Sequence, residues 1–393
     1  MIRLKILASH PVQYHVPFFR ALIDSGIALD VGYYHQGTAG RRARDREFGI
    51  DIEWDVDLLS GYPHRFFCNR PTQFTIAEQL RLAPALMAWA VRDHTTPLLL
   101  MGWFAEFVWL TWLLRAVAHA PVLVMSETTP LSFAMTSKPQ WRVGLLRRLL
   151  RRTDACLYIG SRNQQFYLSM GVLPGRLFHV PYSIDNRFFS ERVAAMRAIR
   201  DDLCQLYQIS PALPTFLFCG KLIEKKRPLQ LLDAYIAANL HEQAQLIYVG
   251  EGNLRRQLEE RIRNDHLQHV KLLGFLNQSQ MPLAYVLGEV LCLLSEPTET
   301  WGLVVNEALV CGRPVIVAES VGCAPDLVSE RNGWVVPLDD HAALVRTMKL
   351  ALAHRADWQA MGAAGQYRVQ TNTFGAMANG AFAALQAVVA EQA

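Results

Sequence analysis

Short, almost wholly apolar runs alternate along the chain with longer stretches in which apolar residues recur at helical spacing. That alternation predicts βαβ units, and hence mostly parallel sheets with both faces covered. In the first half it places strands at 4–8, 28–34, 98–101, 122–125, 155–159 and 177–180. A charged helical stretch at about 190–208 follows, and the pattern restarts with strands at 215–219, 245–249, 270–273, 290–294, 314–318 and 333–336. The restart predicts two doubly wound domains, 1–186 and 187–375, joined near residue 185. An Ala-rich last helix at about 376–390 is apolar on one side, so it must pack on something, and either domain can receive it; 376–393 packing back on the first is one such arrangement.

One apolar run, 98–114, approaches the length of a membrane span. Gly102 interrupts it and Glu106 would be costly in lipid, so a buried strand, loop and helix is the expected structure. The N-terminus has no apolar core of signal-peptide length and reads as a first buried strand, which makes a cytoplasmic protein the expectation. Apolar residues are 51% and charged residues 19% of the 393, a globular balance, and a net charge of +4 does not suggest a dedicated nucleic-acid binder. Seven cysteines without a C-x-x-C pair indicate neither a disulfide framework nor a structural zinc site.

In open α/β sheets ligands bind beyond the carboxyl ends of the strands, so the strand-end loops are where chemistry is to be sought. The richest is 294–317, where a strand ends in Ser295-Glu296-Pro297-Thr298-Glu299, a helix opens around Gly302, and Gly312 with Pro314 closes it. Amides at such a helix start suit a diphosphate, and Glu299 and Glu307 can face one ligand and accept hydrogen bonds from paired hydroxyls. The same spacing also fits a capping acid at Glu299 and a solvated surface residue at Glu307. A second loop, Gly220-Lys221-Leu222-Ile223-Glu224-Lys225-Lys226-Arg227, gathers four cations beside a glycine. It suits a polyphosphate; a merely solvated basic helix start would put cations at the unfavourable end of the dipole. The third, Gly250-Glu251-Gly252, begins like a dinucleotide fingerprint but has Arg255 where the last glycine belongs, which disfavours a dehydrogenase.

In the first half, 9–20 carries His10, Gln13 and His15 from a strand end into a helix, with an ordinary satisfied loop histidine as the alternative. Asp55-Val56-Asp57 is the only D-x-D and lies away from the expected diphosphate loops, so no metal site is assigned. Residues 141–152 form a basic amphipathic helix whose Leu145, Leu146, Leu149 and Leu150 either pack inward or meet an anionic membrane or lipid-phosphate acceptor.

The 294–317 window resembles the E-x7-E signature of retaining GT-B glycosyltransferases, especially glycosyltransferase family 4, with Thr300 and Trp301 in place of Gly-Phe. The basic loop resembles the family's G-R-L-x-x-x-K-G motif, Gly220, Lys221 and Lys226 matching with Lys for Arg. Residues 248–255 and 272–276 resemble its G-x-G-P and nucleobase strands, and Ser9-His10-Pro11-Val12-Gln13-Tyr14, Gly160-Ser161-Arg162-Asn163 and 181–186 resemble its N-terminal and junction motifs. Many relatives carry a histidine where this chain has Gly102-Trp103-Phe104-Ala105-Glu106.

The resemblance implies two Rossmann-like domains facing a cleft. It also implies transfer of a sugar, with its anomeric configuration kept, from a nucleotide diphosphate sugar to a glycan or lipid-linked acceptor, as in cell-surface polysaccharide or glycolipid synthesis. Lys221, Lys226 and Glu299 are then the catalytic candidates, with Glu299 on the sugar hydroxyls. Gly220, Gly250, Glu251, Phe275, Trp301, Gly302, Leu303, Val304 and Glu307 are the donor-binding candidates, with Glu307 on the ribose. His10, Gln13, His15, Trp103, Glu127 and Asn163 are the acceptor-side candidates. No resident cofactor or metal is expected, and no nucleic-acid partner. A GT-B sugar-nucleotide epimerase and an inert nucleotide-sugar-binding scaffold are the alternatives.

Overall fold

The apolar runs of the sequence become the strands of two parallel sheets in the computed structural model, which describes residues 2–40, 42–45, 48–68, 76–103 and 105–391. The first sheet contains β1 (Arg3–Ala8), β2 (Ala28–His35), β3 (His64–Cys68), β4 (Leu98–Met101), β5 (Val122–Met125), β6 (Ala155–Tyr158) and β7 (Leu177–His179), in the order β3-β2-β1-β4-β5-β6-β7. The second contains β8 (Thr215–Cys219), β9 (Gln245–Val249), β10 (Val270–Gly274), β11 (Val290–Leu293), β12 (Val315–Ala318) and β13 (Gly333–Val336), in the order β10-β9-β8-β11-β12-β13. Each sheet is thus wound outwards in both directions from its first strand, as in dinucleotide-binding folds. β3 is not among the expected strands: His64-Arg65 opens it with polar residues, and as an edge strand it is only partly buried.

The chain divides into two compact units, one of Met1–Ala43, Val56–Ser183 and Asn372–Ala393, the other of Arg44–Asp55 and Ile184–Thr371. Residues 44–55 lie in sequence between β2 and β3 yet pack with the second unit. The last helix, Phe374–Ala390, packs in the first, so closely that a Cβ added at Gly380 would lie 2.0 Å from the His179 carbonyl oxygen at the end of β7.

In the second unit Phe216, Leu246, Tyr248, Val290 and Ile316 form a core with Leu231 and Leu232 of the helix Pro228–Ala237. Each such side chain contributes about 1.5–3 kcal/mol on full burial. In the first unit Leu100, Val124, Leu149 and Phe166 do the same with Trp112 of the helix Glu106–Val117. The apolar run 98–114 is therefore strand, loop and a helix that buries Val108, Thr111 and Trp112 and leaves Leu110 and Leu113 exposed. That helix also carries Arg115, fully buried, whose guanidinium donates to the carbonyls of Ala90 at 2.7 Å, Asp93 at 3.1 Å, Thr96 at 2.7 Å and Pro121 at 2.9 Å.

Candidate active site

Strand β8 ends at Cys219, and the chain turns through Gly220 and Lys221 into a short 3-10 turn, Glu224–Lys226, before the helix at Pro228. The neighbouring loop after β9 lies against it, backbone on backbone: Leu222 N donates to Glu251 O at 2.8 Å, and a Cβ at Gly250 would lie 1.9 Å from Gly220 O. The Gly250-Glu251-Gly252 glycines therefore have a packing reason of their own. Glu251 pairs with Arg255 one turn further on.

After β11 the loop is tied to the basic turn, Glu296 N donating to Lys225 O at 2.9 Å, and this brings Glu299 to Lys226. The Lys226 ammonium donates to Glu299 Oε2, both side chains largely buried. Burial alone would raise the Glu299 carboxyl, but the Lys226 charge and hydrogen bond, with Lys225 and Ser295, hold it below its ordinary value. Gly302 then takes a left-handed turn at φ +94° and caps the helix Leu303–Val310, where a Cβ would lie 2.8 Å from Leu293 Cδ2. The amides of Leu303 and Val304 open that helix. The Trp301 indole is buried, its Nε1 donating to Asn306 Oδ1 at 2.9 Å, so what this position offers a ligand is backbone.

Glu307 lies on the inner side of the helix, 1% exposed, and accepts a 2.6 Å hydrogen bond from Tyr285. The sequence pattern placed both acids towards one ligand; in the structure only Glu299 retains appreciable exposure. The loop after β10 presents Phe275, half-buried. Residues 48–55 rest here: the Phe48 ring meets Phe275 edge-on at 5.2 Å, Trp54 does so at 6.2 Å, and Asp55 accepts from Ser279. Asp45 approaches the Lys221 ammonium at 3.6 Å, which also lies over the Phe48 ring. The aspartates of the D-x-D motif are engaged separately, Asp55 with Ser279 and Asp57 with Ser60 and Leu59. Asp55 thus lies near the Phe275 loop, which is not one of the diphosphate loops the sequence suggested. Among the described residues no group of three or more His, Cys, Asp or Glu is placed to hold a metal ion.

In the first unit the candidates divide. His15, Tyr182 and Glu127 come together: Tyr182 donates to Glu127 Oε1 at 2.7 Å, and its hydroxyl lies 3.2 Å from His15 Nε2. His10 stacks on His35 with centroids 5.0 Å apart and bonds Ser9 Oγ at 3.0 Å. Burial lowers both His10 and His15 to about 4, and for His10 the neighbouring His15 adds to it, so both are neutral near pH 7. Gln13 sits half-buried in the same loop. Asn163 is a structural tie, 2% exposed, accepting from Ile159 N at 3.1 Å and donating to Thr128 O at 2.7 Å. Trp103, partly buried, stacks on Trp112 and Phe166 at the margin of the core; Phe104 lies outside the described residues. Tyr182, Tyr285, Asp45 and Phe48 were not singled out from the sequence. Tyr182 stands in the 181–186 junction stretch, whereas no local pattern marks the other three.

Residues 206–368 match the family described as "Glycosyl transferases group 1". Among curated relatives, the chain is 25% identical over 63% of its length to the sulfoquinovosyl transferase of Arabidopsis thaliana. It is 29% identical over 57% of its length to the GDP-mannose-dependent monoacylated alpha-(1-6)-phosphatidylinositol monomannoside mannosyltransferase of Corynebacterium glutamicum. These matches span 46% and 60% of the two relatives' own lengths. Among solved structures, HepE of Anabaena in complex with UDP superposes with a TM-score of 0.73 at 18% identity, covering 98% of this chain and 100% of that one. With its motif residues assembled in this way, the chain has two parallel sheets in the GT-B arrangement of strands, and its residues 206–368 are similar to the glycosyl transferases group 1 family.

Proposed function

We propose that the protein is a retaining glycosyltransferase that moves a sugar from a nucleotide diphosphate sugar to a lipid-linked or other glycan acceptor. The observation that carries this reading is the Lys226–Glu299 pair set beside the opening of the helix Leu303–Val310, beyond the carboxyl ends of β8 and β11. Anionic leaving groups are stabilised by such a combination of cation and helix-start amides. As the glycosidic bond loosens, Lys221, Lys226 and the amides of Leu303 and Val304 take up the charge growing on the diphosphate. The acceptor hydroxyl attacks the anomeric carbon from the departing side, and its proton passes to the leaving phosphate oxygen, so no enzymic nucleophile is needed. Glu299 holds the sugar hydroxyls. Glu307, oriented by Tyr285, holds the ribose, and Phe275 lies against the nucleobase.

The first unit serves the acceptor through His15, Tyr182 and Glu127. A lipid-linked acceptor is supported by the phosphatidylinositol mannoside named for the Corynebacterium relative. In the helix Gln140–Arg151, Leu146, Leu149 and Leu150 are buried, while Arg147, Arg148 and Arg151 are exposed with Trp141. The apolar face is thus used inside, and the basic face is what would meet an anionic membrane from the cytoplasmic side.

The test is to incubate the purified protein with UDP-, GDP- and ADP-sugars, with and without lipid-linked saccharide acceptors, and measure nucleotide release. Release that needs an acceptor supports transfer. Turnover of donor alone with a changed sugar identifies an epimerase, and binding without turnover a scaffold.

A further inference from the structure

At the other end of the second sheet, a cavity of about 460 Å³ opens among Arg197, Glu289, Arg313, Arg355, Gln359 and Gln366. Glu289 immediately precedes β11 and Arg313 lies just before β12, so the cavity sits at the amino ends of these strands. The loops bearing Lys226 and Glu299 lie beyond the carboxyl ends, roughly 13 Å away along a four-residue strand. The cavity therefore cannot be part of the donor site.

Its charge is one-sided. Three guanidinium groups face one carboxylate, and that carboxylate is already engaged: Glu289 Oε2 accepts from Thr215 N at 3.0 Å, and Oε1 lies 4.0 Å from Arg200 Nη2. Arg200 adds a further cation to the group, and its Nη2 is buried without a hydrogen-bond partner. Two of the lining arginines are fixed by carbonyls at helix ends, Arg197 Nη2 by Cys311 O at 2.9 Å and Arg313 Nε by Tyr285 O at 2.6 Å. Capping of this kind explains why each is anchored. It does not explain their convergence, with Arg355, on one concavity. A Cβ added at Gly312 would lie 3.5 Å from Arg197 Nη2 and 3.4 Å from Gln366 Nε2, and Gln366 Nε2 donates to Val310 O at 3.0 Å, so these two meet at the end of the helix Leu303–Val310, and Arg313 and Arg355 join them there. Burial, then repulsion from Arg197, lowers Arg313 to about 10, with Glu289 offsetting part of it.

We propose that this cavity is a second ligand site that binds a phosphorylated polyol, its phosphate on the arginines and its hydroxyls on Gln359 and Gln366. Guanidinium forks match phosphate oxygens in pairs, and side-chain amides match hydroxyls. The volume falls within the range of about 300–1,000 Å³ typical of small-molecule sites. A soluble sugar phosphate and a phospholipid headgroup present the same chemistry.

Both sources are probed with the full chain: glucose 6-phosphate by calorimetry, and phosphatidylcholine vesicles containing phosphatidylglycerol by co-sedimentation. Arg355→Gln and Gln359→Ala change exposed side chains and leave the core intact, and Lys226→Ala serves as the donor-site control. The expected result is saturable binding of at least one probe, weakened tenfold or more by Arg355→Gln, less by Gln359→Ala, and within twofold of wild type in Lys226→Ala. Loss confined to the vesicles assigns the site to a headgroup, and loss confined to glucose 6-phosphate assigns it to a soluble ligand. If neither probe binds saturably, or if binding survives Arg355→Gln, the proposal is overturned.

Discussion

In the second unit the polar groups beyond the strand ends are charged and paired, Lys226 with Glu299 and Lys221 with Asp45, whereas in the first a hydrogen-bonded chain runs from His15, neutral near pH 7, through the Tyr182 hydroxyl to Glu127. The two sheets are wound from their first strands in the same order, so the difference is in the loops and not in the scaffold. Fixed charges suit a step in which negative charge grows on a leaving group, while neutral hydrogen-bonding groups suit the orientation of a hydroxyl that brings no charge. This contrast makes quantitative predictions that differ between the units.

The largest effect belongs to Lys226. Lys226→Ala removes a leaving-group cation and strands the Glu299 carboxylate in a largely buried place. Turnover should fall by about 10²–10³-fold, the usual cost of losing one preorganised stabiliser of a developing anion. Steady-state kinetics with the donor found by the screen would show it, and wild-type turnover would remove the basic turn from the mechanism.

The contrast between the units also explains what was legible in the sequence. Winding and strand positions follow from apolar runs of four or five residues, because a strand buried on both faces has no polar positions to blur it. β3 escaped because an edge strand tolerates His64-Arg65. The Lys226–Glu299 pair and the helix start beside it lie within short windows, 220–227 and 294–307, each a strand-end segment, whereas Asp45 reaches Lys221 only in the folded chain. The neutral cluster draws on residues 55 and 167 positions apart, and only the folded chain brings Tyr182 to Glu127 and His15. Asn163 and Trp103 illustrate the converse: a polar or aromatic residue near a strand end reads as a ligand contact, and the folded chain also gives each a structural partner, Asn163 tying two loops and Trp103 stacking on Phe166. The sequence spacing of Glu307 likewise says nothing of its burial against Tyr285.

The two carboxylates of the charged site can be separated. Glu307→Gln should weaken free nucleotide and intact donor alike, by about 1.5–3 kcal/mol for a charge-assisted hydrogen bond. Glu299→Gln should reduce turnover and spare the free nucleotide. Calorimetry with the nucleotide product decides it, and the opposite pattern would exchange the two roles.

For the neutral cluster, pH is the lever. His10 and His15 have pKa values lowered from 6.5 to about 4, so the unfolded chain takes up their protons first as pH falls. Their contribution is complete above about pH 6.5 and is lost progressively as pH drops towards 4, by about 1–2 kcal/mol per histidine at pH 5. The midpoint of thermal unfolding should therefore fall between pH 7 and pH 5, and fall less in His15→Gln. An equal fall in both would show that His15 does not contribute. At constant pH 7, Glu127→Gln should raise acceptor KM about tenfold, the order expected for one hydrogen bond to a charged group, and leave donor affinity unchanged. A change in donor affinity instead would join the two clusters functionally.

The smallest effect tests whether the charges of the second unit are all arranged to favour the donor. Asp45 holds the Lys221 ammonium at 3.6 Å, and both side chains are about a quarter exposed. A diphosphate that uses Lys221 must share it with this carboxylate or displace it. Asp45→Asn removes the competitor while keeping the side-chain shape, so donor KM should fall. The decrease should be modest, because a partly solvated ion pair is worth about 0.2–1 kcal/mol, or at most about fivefold. The effect should also shrink as salt is raised from 50 to 500 mM, since screening already weakens the pair in the wild type. In a Lys221→Gln background Asp45→Asn should have no such effect, because the cation over which carboxylate and diphosphate compete is gone. A rise in donor KM on Asp45→Asn would mean that Asp45 works for the donor, by positioning Lys221 or by binding the sugar nucleotide itself.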